Sequence, residues 1–75
     1  MIKVNYKDHL EINPGIRFGK PVIKGTRISV YDVLSWLAAD MSMEEIIDDF
    51  PQLKRKDILA CLAFSADKNA KVKVI

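Results

Sequence analysis

Cysteine and histidine are almost missing from this chain. Cys61 is the single cysteine, so no intrachain disulfide can form. His9 is the single histidine and has no second soft ligand near it, so no zinc pattern exists. No apolar run approaches the roughly 20 residues that a membrane span needs. Lys3, Asn5, Tyr6, Lys7, Asp8 and His9 break up the start of the chain, which argues against a signal peptide. Together with one free cysteine, this leads us to expect a cytoplasmic protein that does not associate with membranes. No histidine–carboxylate or cysteine–histidine pairing is visible in the sequence pattern, and 75 residues are expected to be too few for a deep pocket. The expectation is therefore a binding protein, not an enzyme, with no cofactor and no metal. A domain of this size has a marginal core, and disulfides and metals are the usual supports. With both excluded, self-association is the support left open, and a homodimer or a complex with a partner protein is expected.

What is present is charge, and it is segregated. Residues 1–31 carry six Lys/Arg and two acids, and residues 54–75 carry six Lys/Arg and two acids. Residues 32–53 carry six acids and no base. The net charge of +2 conceals this arrangement. An acidic centre between basic flanks can meet a polyanion with its ends and a basic protein with its middle.

The pattern predicts a mainly α fold: a three-helix helix-turn-helix bundle behind a short N-terminal β-hairpin or wing. Residues 1–68 form the single domain and 69–75 a tail. Short strands are expected within 1–28, where Ile2, Val4, Tyr6, Leu10 and Ile12 alternate weakly before the turn Asn13-Pro14-Gly15. Val22-Ile23 is expected to pair with Arg27-Ile28 across Lys24-Gly25-Thr26, with Pro21 at an edge or first position. The first helix, about 30–39, has Ser29 as N-cap, Asp32 three residues on, and a stripe of Val30, Val33, Leu34 and Leu37. Its end needs a left-handed residue, which suits Asp40 less well than glycine. The second helix, 43–50, opens with the capping box Ser42-Met43-Glu44-Glu45, and Pro51 stops it. The third, 55–67, is expected to bury Ile58, Leu59, Leu62 and Ala66, with Ala63 extending the stripe and Cys61 and Phe64 off its centre. In the tail, Val72, Val74 and Ile75 alternate with Lys71 and Lys73. It is expected to be a strand, or to order on a partner.

Helices two and three, joined by four residues, resemble a helix-turn-helix, in which the second helix reads DNA with its first residues. Here those residues are Lys54, Arg55 and Lys56. Three cations at a helix N-terminus oppose the helix dipole, so something else favours them, and phosphate is a candidate. The alternative is a solvated rim facing the acidic helix. Lys20, Lys24 and Arg27 form a basic wing with the same two readings. The segment holding them is not a phosphate loop, because Gly19-Lys20 is followed by proline instead of Ser/Thr opening a helix. Asp40, Glu44, Glu45, Asp48 and Asp49 lie opposite the Met43–Ile46–Ile47–Phe50 stripe. They read as an exposed face, and as a docking surface for a basic partner before a catalytic pair. Ser29 and Ser42 are caps, Cys61 a small hydrophobe, His9 a surface residue on an arm, and Trp36 a core-edge or interface residue.

The string Gly19-Lys20-Pro21-Val22-Ile23-Lys24-Gly25-Thr26-Arg27-Ile28 resembles the signature of domain of unknown function family 433. The stretches Val30–Ala38, Met41–Leu53 and Asp57–Phe64 continue the resemblance, which covers roughly residues 10–67. Two positions depart from it: Asp40 stands where glycine is usual, and Lys54 where Thr or Ser caps the third helix. The resemblance implies a homeodomain-like, winged three-helix fold. It also implies an antitoxin-like protein of a toxin–antitoxin pair, which binds a nuclease of PIN-like fold and also its own operator DNA. The rival expectations are a stand-alone dimeric DNA-binding regulator and a structural protein-interaction module.

Overall fold

The computed structural model describes residues 4–75, so the part of the N-terminal alternation that falls on Ile2 lies outside the described residues. A 3-10 turn (Tyr6–Asp8) leads into strand β1 (Leu10–Ile12). A second 3-10 turn (Arg17–Gly19) leads into strand β2 (Pro21–Ile23). Helices α1 (Val30–Ala38), α2 (Met43–Asp49) and α3 (Arg55–Ala66) follow. The fold is mainly helical with an N-terminal antiparallel hairpin, as the pattern predicts. No helix among the described residues is long and apolar enough to cross a membrane.

The hairpin differs from expectation in its partner. β2 pairs with β1, in the register Leu10–Ile23, Glu11–Val22 and Ile12–Pro21. Beyond the Lys24-Gly25-Thr26 turn only one bridge forms, between Val22 and Ser29, with the Ile23 N–H donating to the Ile28 carbonyl at 2.9 Å. The reason is local. The Thr26 hydroxyl donates to the Ile23 carbonyl and accepts from the Ile28 N–H, closing the turn through a side chain. Ser29 then caps α1 at once, so the chain leaves the sheet. Pro21 takes the first position of β2, where its missing N–H is tolerated.

α1 and α2 each start at a serine capping box. The Ser29 hydroxyl accepts from the Asp32 N–H while the Asp32 carboxylate accepts from the Ser29 N–H, both at 3.0 Å. Ser42 and Glu45 repeat this reciprocal box at α2. α1 ends in a left-handed Asp40 with φ of 71°. Around it the Met41 N–H reaches the Trp36 carbonyl and the Asp40 N–H reaches the Leu37 carbonyl. These two bonds form a Schellman closure built without glycine.

The core gathers Leu10, Ile23, Ile28, Val30, Val33, Ile46, Leu53, Ile58, Ala60 and Cys61. α3 departs from its expected stripe. Ile58, Ala60 and Cys61 are buried and Phe64 packs against them, whereas Leu62 and Ala66 are exposed. The N-terminal 3-10 turn is what rotates the burial. Tyr6 meets Phe64 edge-to-face at 5.7 Å, and its hydroxyl donates to Asp67 at 2.7 Å. α3 is thus covered on two sides, and one stripe cannot describe it. The tail is neither a full strand nor free. Ile12 and Val74 form one parallel bridge, and the Ile12 N–H donates to the Lys73 carbonyl at 2.9 Å.

Candidate nucleic-acid interface

α2 and α3 are joined by a short turn whose inward residue, Leu53, is buried and donates its N–H to the Phe50 carbonyl. This packing exposes the start of α3, and Lys54, Arg55 and Lys56 all face solvent. Lys54 has no side-chain acceptor and leaves the helix without the usual N-cap oxygen. Asp57 compensates: its Oδ2 accepts from the Lys54 N–H at 2.9 Å. Its negative charge in the first turn also offsets part of the unfavourable cations. Arg55 reaches Glu44 at 3.4 Å, with both side chains mostly exposed, so solvent and salt screen the pair.

The other oxygen of Asp57 makes the decisive contact. It lies 2.9 Å from Nδ1 of His9. The carboxylate only accepts, so Nδ1 carries the proton. His9 is therefore partly buried against α3, and not loose on an arm. Its own carbonyl accepts from the Lys24 N–H at 2.9 Å. Three consecutive hydrogen bonds thus tie the turn at Lys24 to His9, His9 to Asp57, and Asp57 to Lys54. One histidine links the backbone at Lys24 to the basic start of α3, far apart in sequence.

The remaining wing cations separate from this cluster. Arg27 is exposed on the same turn, and its carbonyl accepts from the Arg17 guanidinium at 3.0 Å. Lys20 lies at the opposite end of β2, where its ammonium sits 5.8 Å from the Tyr31 ring centre. Of the six cations singled out by sequence, four (Lys24, Lys54, Arg55 and Lys56) lie on segments that this chain of bonds links. Arg27 is linked through its turn, and Lys20 stands apart.

Arg17 adds a buttress that the sequence reading missed. Its guanidinium holds Asp32 through two bonds, at 2.6 and 3.2 Å. This guanidinium holds the Asp32 carboxyl below its ordinary pKa, assisted by the Ser29 N–H. Asp32 consequently serves both the α1 cap and the wing loop. Cys61 is buried, and desolvation pushes its thiol up to about 12, so it is no nucleophile. No group of three or more metal-ligating side chains occurs among the described residues.

The family model "Protein of unknown function (DUF433)" matches residues 10–65. The chain belongs to the DUF433 family. That match runs from β1 almost to the end of α3, so it covers the hairpin and all three helices. The uncharacterized protein y4eO of Sinorhizobium fredii is 41% identical over 46 residues, which is 61% of this chain. The match spans only 21% of that relative's length. No solved structure matches the chain significantly.

Proposed function

We propose that this DUF433 protein is an antitoxin-like DNA-binding protein. α3 enters the major groove, and the Lys24 turn grips the flanking backbone. The observation that carries this reading is the His9 bridge, which joins the wing's cation to the N-terminus of the second helix of a helix-turn-helix. Lys54, Arg55 and Lys56 start a helix whose dipole disfavours them. Phosphate contact gives them a role that solvation does not. On this reading Lys24, Lys54, Arg55 and Lys56 are the main phosphate contacts, with Arg27 beside them. The second partner is the PIN-like nuclease that the family resemblance implies.

The test is a salt titration of binding to a duplex from the gene's own upstream region and to a scrambled duplex. Binding should prefer the native duplex and weaken steeply with salt. The slope of log affinity against log salt should fall by about one for each cation removed, as in Lys24→Ala or Lys56→Ala. Failure of both duplexes to bind at low salt sinks the DNA reading. The basic cluster would then be a protein-docking surface, and co-purification with a co-expressed PIN-like nuclease becomes the deciding measurement.

A further inference from the structure

The loop before β2 displays a side chain that nothing inside the molecule accounts for. Phe18 is 97% exposed. It also sits at φ of 58°, between Arg17 at 51° and Gly19 at 77°. A bulky residue in the left-handed region is strained, at a cost on the order of 1–3 kcal/mol. The loop is nonetheless held firmly. The Gly19 N–H donates to the Ile16 carbonyl, the Lys20 N–H to the Arg17 carbonyl, and Arg17 is clamped by Asp32. The molecule thus pays strain to hold an apolar ring in water.

One cation accompanies the ring on its own loop. Lys20, two residues on, is exposed and has no salt bridge among the described residues. Tyr31 is 52% exposed, but the Lys20 ammonium lies over its ring, so that face is not open to a nucleobase. A single projecting ring with one lysine beside it in the chain matches a socket better than a stacking platform.

The same chain carries a complementary surface. On α2, Met43 and Ile47 are only partly buried. Glu44 and Asp48, one residue further on in each case, form an exposed acidic row alongside them. Trp36 and Phe50, stacked at 4.5 Å, extend the half-buried apolar strip. We infer that Phe18 and Lys20 dock on the α2 strip of a second copy, and that two such contacts close a dimer. The apolar anchor meets the apolar strip, and Lys20 meets the acidic row at Asp48. Neither Phe18 nor Lys20 belongs to the His9 cluster, so this inference stands independently of DNA binding.

The decisive variant is Phe18→Gly. It removes the ring while glycine suits the left-handed backbone, so the monomer keeps its fold. Sedimentation of the wild-type chain over a wide concentration range should show a monomer–dimer equilibrium. Phe18→Gly should raise the dissociation constant on the order of tenfold or more, with unchanged circular dichroism. Lys20→Glu and Asp48→Lys should each weaken self-association. An equimolar mixture of the two should restore it, because both contacts of the mixed dimer are then complementary. A wild-type chain that is monomeric throughout, or a Phe18→Gly variant that associates as before, overturns the inference. A mixture that stays monomeric overturns the assignment of α2 as the socket.

Discussion

Two aspartates show how much depends on single side chains here. Asp40 occupies a left-handed position, closing α1 where a Cβ is unwelcome. Asp40→Gly should stabilise the fold by about 0.5–1 kcal/mol, since relief of strain exceeds the extra entropy of glycine. In a domain of this size, thermal unfolding should show that as a midpoint higher by roughly 2–8 °C. Asp32 carries a pH dependence. Its folded pKa lies below the unfolded value, so its contribution to stability is present above that unfolded value. The contribution is lost as pH falls through the folded one. Arg17→Met removes the main cause of the depression. Acid unfolding, followed by circular dichroism, should then begin at higher pH than in the wild type. An unchanged acid midpoint would show that the clamp contributes nothing to folding.

At the scale of elements, α3 is held at its start by a carboxylate with two duties. Asp57 accepts from the Lys54 N–H and from His9. His9→Ala removes one charge-assisted bond and should cost about 1–2 kcal/mol in denaturant unfolding. It should also weaken DNA binding beyond that stability loss, measured where both proteins are fully folded, because the Lys24 turn loses its tether to α3. Equal affinity of folded His9→Ala and wild type would mean that the tether does not organise the interface. The helix starts were legible beforehand because a capping box is an exchange between residues three apart, visible in Ser29/Asp32 and Ser42/Glu45. The buried face of α3 was not legible. Its residues are apolar on more than one side, and the side that counts is chosen by the N-terminal turn packed against it.

For the whole molecule, the charge segregation acquires geometry. The basic start of α3 and the Lys24 turn are linked through His9, while the acidic α2 residues stay exposed beside a half-buried apolar strip. On the two proposals, one chain holds a polyanion-facing side and a self-complementary pair of surfaces, within extents of 30 × 29 × 19 Å. If both proposals hold, the dimer presents two basic clusters, and its operator should carry two half-sites.

Composition, caps and stripe periodicity by themselves determined three helices, their starts, a preceding turn-rich hairpin region and the separation of charge. These are all properties of residues within a few positions of one another. Tertiary structure alone decided the pairing of β1 with β2 and the seating of the tail on Ile12. It also decided the rotation of α3, the His9–Asp57 contact across 48 residues and the Tyr6–Asp67 contact across 61. Such contacts depend on which surfaces collapse together once the chain closes. A lone histidine has no periodic signature, and a phenylalanine inside a turn motif reads as ordinary until its exposure is known.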